Sequence, residues 1–221
     1  MSRILILRPQ PGADATARKV KEAGFEPLLL PLFAVEKLAW SPPDPARFDS
    51  LMLTSANAAR MAGPGLSLYA NLPLYCVGAA TARAAELAGL TISRIAGPDG
   101  AALVHAMVEA GRLRALHLAG RDTRALPPSA MQIERIAVYD SVEQDADLAG
   151  LVQDGAIIFV HSPRAGRSLA RRIHPDQRRQ LHIIAISENA RTACGTGWQS
   201  SAAAAEPDDS AMLALAQEIC H

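Results

Sequence analysis

Two strand ends concentrate the residues of this chain that are able to do chemistry. LTSANAAR (53–60) closes an apolar run in small polar residues, and FVHSPRAGR (159–167) does nearly the same about a hundred residues later. Each is followed by a second junction of similar kind, CVGAATA (76–82) and AISENA (185–190). Thr54-Ser55-Ala56-Asn57, Gly78-Ala79-Ala80-Thr81, Ser162-Pro163 and Ser187-Glu188-Asn189 therefore all stand where a strand passes into a helix. In open α/β sheets ligands bind beyond the carboxyl ends of the strands. The backbone N–H groups and dipole of a helix N-terminus favour an anion there. Taken singly, each junction is equally an ordinary helix N-cap. Four together, two in each half of the chain, point to a cleft between two lobes that receives an anionic ligand.

The elements that must position these residues alternate along the chain. Strands are expected at 3–8, 27–31, 49–55, 74–78, 91–96, 113–120, 156–162, 182–187 and 200–205. Helices are expected near 13–23, 56–62, 79–88, 100–110, 163–173, 188–196 and 208–219. Such alternation predicts parallel sheets covered by helices on both faces. PLFAVEKLAW (31–40) and MQIERIAVYDS (131–141) break the pattern, being extended with no helix on one side. They read as a two-stranded β-ladder, 34–36 and 136–141, carrying the chain out of one lobe and back. This makes 1–33 plus 142–221 one discontinuous α/β domain and 37–135 an inserted second. The spacing supports a repeat: Ser55 to Gly78 is 23 residues, and Ser162 to Ser187 is 25. Two copies of one βαβα cassette imply two similar domains facing each other.

Composition narrows the function classes. Lys plus Arg and Asp plus Glu balance at 22 each, so there is no electrostatic footprint for nucleic acid or an anionic membrane. The bases are nearly all Arg, with Lys only at 19, 21 and 37, and a guanidinium pairs carboxylates bidentately where an ammonium does not. Cys76, Cys194 and Cys220 show no CxxC spacing, which fits a reducing compartment. Cys76, inside a strand, reads as core rather than nucleophile. MSRILILRPQPG has too short an apolar run for a signal peptide, and no segment approaches the ~20 apolar residues of a membrane helix. A cytoplasmic, soluble protein is expected. The glycines of GPG (63–65) and GTG (195–197) form no dinucleotide fingerprint, and there is no P-loop. The histidines at 105, 117, 161, 174, 182 and 221 form no metal-ligand pair. Neighbouring side chains on a strand point to opposite faces, so His161 and Ser162 make no triad. Cofactor-free chemistry or plain binding remains.

The motifs LTSANAAR, CVGAATARAAELAG, LAGRDTR and IAVYDS, followed by FVHSPRAG and AISENARTA, resemble in their order the uroporphyrinogen-III synthase family. The resemblance runs from RILILRP to the last helix. It implies two α/β domains joined by a β-ladder with the active-site cleft between them. It also implies a monomeric lyase of haem and tetrapyrrole biosynthesis, with no cofactor and no metal, acting on hydroxymethylbilane. The implied reaction loses the terminal hydroxyl as water to give an azafulvene, then closes the ring through a spiro intermediate with ring D inverted.

The resemblance also assigns roles. Tyr139 matches the tyrosine of the VY motif and is the expected catalytic general acid, with Thr81 of the VGxxTA motif beside it in role. Arg8, Thr54, Ser55, Asn57, Gly78, Arg121, Ser162, Arg164, Ser187 and Asn189 are the expected substrate-binding residues, facing the eight carboxylates of the tetrapyrrole. Two departures stand out: Glu188 occupies a loop meant to receive carboxylates, and the stretch from Arg121 to Met131 is short for a helix the family carries there. Two other readings stay open at this point. A non-catalytic two-lobed binder of a small polyanion needs no hinge tyrosine, and a phosphosugar-type enzyme needs more Lys or a carboxylate pair for a metal.

Overall fold

Ile4, Leu5, Ile6 and Leu7 point alternately to two faces of one sheet, and each side finds its own helices. In this computed structural model, which describes residues 2–146, 148, 152 and 155–220, the chain divides into two compact units, Met1–Ala34 with Val142–His221, and Val35–Ser141.

The first unit is a five-stranded sheet of β1 (Arg3–Ile6), β2 (Glu26–Leu29), β9 (Ile157–Val160), β10 (His182–Ala185) and β11 (Ser200–Ala203). The spatial order is β11-β10-β9-β1-β2 and every pairing is parallel. Ile4, Ile6, Ile157, Phe159 and Ile184 pack under α1 (Gly12–Glu22) and α8 (Asp209–Ile219). Leu5, Leu7, Ile158, Val160 and Ile183 pack under α5 (Pro163–Arg172) and α7 (Glu188–Ala193). Each such fully buried side chain stabilises the fold by about 1.5–3 kcal/mol. Because the two faces use alternate residues, the central strand β9 (IIFV) is apolar throughout, as sheets covered on both faces require.

The second unit is built on β4 (Ser50–Leu53), β5 (Leu74–Cys76), β6 (Ile92–Ile95) and β7 (Arg114–Gly120) with most of β3 (Phe33–Lys37) and β8 (Gln132–Glu143), in the order β3-β8-β7-β4-β5-β6; Phe33, Ala34, Val142 and Glu143 fall in the first unit. From β8 to β6 the pairings are parallel. One face carries Leu51, Leu53, Leu116, Leu118 and Val138 under α2 (Ala56–Met61) and α3 (Ala79–Leu87). The other carries Met52, Tyr75 and Ala115 under α4 (Gly100–Glu109). The molecule is thus an α/β protein with two parallel-rich sheets.

The extended segments 31–40 and 131–141 are β3 and β8. Leu38 N–H donates to the Val138 carbonyl at 2.9 Å and Gln144 N–H to the Leu32 carbonyl at 2.8 Å, so the two run antiparallel. They are not a free-standing ladder: β8 also pairs with β7 from Gln132 onward and forms the edge of the second sheet together with β3. The reason is burial, since Ile133, Ile136 and Val138 are packed against that unit's two cores. At its far end, Glu143 accepts Ser168 Oγ–H at 2.5 Å and pairs with Arg171 and Arg172 at 3.2 and 3.1 Å. The hydrogen bond from Ser168 and the two guanidinium charges hold its pKa below the usual carboxylate value.

The regular elements follow the expected ones closely. Helix α7 stops at Ala193, short of 196, where Gly195 and Gly197 take positive φ. Three short helices were not expected, the 3-10 turns Pro45–Arg47 and Gly63–Tyr69 and the helix α6 (Pro175–Arg178); each has a proline at its start and is too short to show a clear period. Residues 122–130 form no helix or strand. His221 lies outside the described residues. Among the described residues no helix is long and apolar enough to cross a membrane.

Candidate functional site

In a doubly wound sheet the crevice for a ligand opens where the strand order reverses. That reversal lies between β1 and β9 in the first unit and between β4 and β7 in the second. The residues beyond the carboxyl ends of these two strand pairs differ sharply.

In the first unit they are tied to one another. Arg8, just past β1, donates from Nη1 to Thr16 Oγ1 at 3.2 Å and lies 3.5 Å from Asp209. Thr16 in turn donates to Asp209 Oδ2 at 3.0 Å, and His161 Nε2 lies 2.9 Å from Asp209 Oδ1. Lys19 is 3.9 Å from the same carboxylate. Burial opposes the charge on Asp209, yet the hydrogen bonds from His161 and Thr16 and the Arg8 charge hold its pKa below normal. Burial also pushes the His161 pKa down, against the pull of Asp209, which keeps the imidazole neutral. Gly12 lets this guanidinium lie against α1, since a Cβ there would come within 2.5 Å of Arg8 Nε.

The two expected serines of this unit act locally, as helix caps. Ser162 Oγ accepts from Ala165 N–H at 3.1 Å and Ser187 Oγ from Ala190 N–H at 3.3 Å, so both are helix N-caps. Arg164 lies over the Phe33 ring, 4.5 Å from its centroid. Asn189 is exposed. Glu188, the awkward acid, is held by Arg191 Nε at 2.9 Å and Nη2 at 2.5 Å, and these hydrogen bonds lower its pKa. Its charge is answered within its own helix.

The second unit is more open. Thr54, past β4, has its Oγ1 3.0 Å from His117 Nε2, in the middle of β7. His117 is 1% exposed, and burial, aided by the Arg135 charge, pushes its pKa down to about 4. Among the described residues its Nδ1 has no hydrogen-bond partner. Thr54 and His117 line a pocket of about 270 Å³ together with Asp99, Gly100, Thr123 and Arg124. Asp99 caps α4, accepting from the N–H groups of Ala101 and Ala102 at 3.0 Å.

On the opposite face, Ser55 caps α2 through Asn57 N–H at 3.2 Å, and Asn57 Oδ1 accepts from Arg60 at 3.2 Å. Gly78 precedes α3 with φ 74°, a conformation that favours glycine. Thr81 is 5% exposed in the first turn of α3. Arg121 pairs with Asp140 at 2.9 Å while remaining 61% exposed. Tyr139 is half-buried against the α2–α3 core, and its carbonyl accepts from Arg121 N–H at 2.9 Å. Cys76 lies in that same core, where burial pushes its thiol pKa up to about 12 and leaves it inert.

The structure thus brings Thr54, Ser55, Asn57, Gly78, Thr81, Arg121 and Tyr139 to the strand-end edge of one unit, and Arg8, Ser162, Arg164, Ser187 and Asn189 to that of the other. Sequence reasoning missed His117, Thr16 and Asp209. A histidine set between two leucines inside LRALHLAG was a signal for His117. Nothing local marks Thr16 and Asp209 as partners. Among the described residues no group of His, Cys, Asp or Glu is arranged to hold a metal ion.

Fold and edge together define a chain of two doubly wound α/β units, each presenting polar groups beyond its strand ends. The family described as Uroporphyrinogen-III synthase HemD matches residues 14–214, and the chain belongs to that family. Among solved structures, the uroporphyrinogen-III synthetase of Helicobacter pylori superposes with a TM-score of 0.70 at 16% identity, covering 99% of this chain and 100% of that one. A mutant uroporphyrinogen III synthase of Thermus thermophilus gives 0.57 at 18% identity, over 100% and 99%. At such identities these likenesses speak for the fold. No curated protein matches the sequence.

Proposed function

We propose that this chain is a uroporphyrinogen-III synthase, a lyase that closes hydroxymethylbilane into uroporphyrinogen III with inversion of ring D. The observation that carries the reading is a tyrosine, Tyr139, at the strand-end edge of a chain whose residues 14–214 match the synthase family. The phenol donates its proton to the terminal hydroxyl as the C–O bond breaks, so that water leaves and the adjacent pyrrole becomes the electrophilic azafulvene. Such general acid assistance is worth about 10²–10⁴-fold. Ring D then attacks through its substituted carbon, and the spiro intermediate fragments and recloses inverted. The proton lost when the final ring restores its aromaticity balances the one donated. No redox step is needed.

The remaining task is to hold both ends of a flexible chain together and suppress the uninverted closure. Orientation of this kind supplies on the order of 7–11 kcal/mol in well-ordered systems. In this reading Thr54, Ser55, Asn57, Gly78 and Arg121 of the second unit take substrate carboxylates, as do Arg8, Ser162, Arg164, Ser187 and Asn189 of the first. Thr81 supports Tyr139. The substrate brings its own reactive groups, so the reaction calls on no cofactor; a cytoplasmic monomer is part of the same proposal. The test is product analysis with freshly made hydroxymethylbilane. The type III isomer is expected. Unchanged spontaneous type I product overturns the reading, and tight porphyrin binding with type I product would favour a plain polyanion binder.

A further inference from the structure

We propose that Gly120 is a positioning residue, which together with a β-bulge at Val138 sets the depth and direction of the Tyr139 phenol. The inference rests on the reading of Tyr139 as general acid and adds what aims it.

The bulge is visible in the register. Ala119 pairs with Ala137, but the next residue, Gly120, pairs with Tyr139, so Val138 is an extra residue on β8. Strict alternation would put Tyr139 on the same face as Ile133, which packs against the α4 core. Instead Tyr139 packs against the α2–α3 core, the one that holds its neighbour Val138 and also Ile136. An added residue that turns the following side chain to the other face is what a bulge does. Ser55, Asn57 and Thr81 belong to the helices over that face. Without the bulge the phenol would be carried to the α4 side, away from them.

The glycine supplies the second half. Gly120 is absent from the glycines with positive φ, so its backbone does not demand the residue. Space does. A Cβ at position 120 would lie 2.7 Å from Tyr139 Cζ, 2.9 Å from Cε2 and 3.0 Å from Oη. All three atoms are at the hydroxyl end of the ring. The phenol therefore rests on the bare backbone of β7, and the Arg121 N–H bond to the Tyr139 carbonyl at 2.9 Å secures the strands at that point. A methyl group there must push the hydroxyl outward by roughly half an ångström or more, and a misplacement approaching 1 Å is able to cost about 10²-fold in rate.

Gly120→Ala is the direct test, assayed as type III isomer formed from hydroxymethylbilane. We expect kcat to fall about 10- to 100-fold with KM within about twofold of wild type. Combined with Tyr139→Phe, it should add little to the loss from Tyr139→Phe alone, because both act through one hydroxyl. A slow Tyr139→Phe beside a wild-type Gly120→Ala overturns this inference alone, as does a full additional loss in the double variant. Wild-type turnover of Tyr139→Phe overturns the general-acid reading and this one with it. Should Gly120→Ala fail to fold, Tyr139→Ala in the same chain removes the ring. Recovered stability then supports the contact, and continued misfolding overturns it.

Discussion

The two strand-order reversals of this molecule share a topology and differ in what they do with polarity. Past β1 and β9, Arg8, Thr16 and His161 converge on Asp209, whose carboxylate accepts from Thr16, lies 2.9 Å from His161 Nε2 and pairs with Arg8 at 3.5 Å. Past β4 and β7, Thr54 and His117 contact each other beside a pocket of about 270 Å³; among the described residues Nδ1 lacks a hydrogen-bond partner in His117 and in His161 alike. At one edge the carboxylate is a latch between helices α1 and α8; at the other the polar pair borders a pocket. The lesson is that a doubly wound sheet supplies a place for a ligand, while the side chains decide whether the protein fills that place itself. Buried charge is tolerable in the first case because it is paired and hydrogen-bonded.

This contrast is open to attack, most strongly at Tyr139. Replacing Tyr139 with Phe should lower kcat by about 10²–10⁴-fold with thermal stability unchanged. Steady-state kinetics at wild-type level would remove chemistry from the open edge. Next in size is the latch. Asp209→Ala leaves Arg8, Lys19 and His161 facing one another and should destabilise the protein by about 3–5 kcal/mol, read as a lower urea midpoint. A large loss of turnover with no change in midpoint would make Asp209 part of the substrate site rather than a latch, and the contrast would collapse.

His117 gives a pH test. Above its ordinary value of 6.5 the ring is neutral in folded and unfolded chains alike, whereas the buried ring resists protonation down to about 4. As pH falls through this window only the unfolded chain gains the proton, so stability falls, by roughly 3 kcal/mol in all. Urea titrations at pH 7 and 4.5 should show that loss in wild type and a smaller one in His117→Gln. Equal losses would show that other groups, the neutral His161 among them, carry the acid sensitivity. The smallest effect is expected at Glu188→Gln. Because Arg191 already answers that carboxylate, KM should stay within about twofold; a marked drop in KM would show that Glu188 repels substrate.

Much of this was readable beforehand, for identifiable reasons. Strands such as IIFV (157–160) and helices ended by glycine, such as the one before Gly24, are local signals. The capping serines Ser55, Ser162 and Ser187 were visible because a cap contacts N–H groups only two or three residues on. Thr54 and His117 are 63 residues apart and meet because β7, not β5, lies on that side of β4. Thr16 and Asp209 are separated by 193 residues. Glu188 looked like a repulsive charge in the sequence, and only its rotamer, folded back onto Arg191, removes that difficulty.

Pattern and punctuation in the chain alone determined two α/β units, the segments that cross between them, the strand-end positions of the polar residues and the resemblance that led to Tyr139. These depend on periodicity and on contacts within a few residues. Tertiary structure decided which edge gathers its polar groups on a carboxylate and which sets them beside a pocket, and which face of β8 the phenol takes. Both follow from strand order and register: a one-residue slip in pairing turns a side chain to the other face. That slip, at Val138, is set by the neighbouring strand and the bare backbone of Gly120.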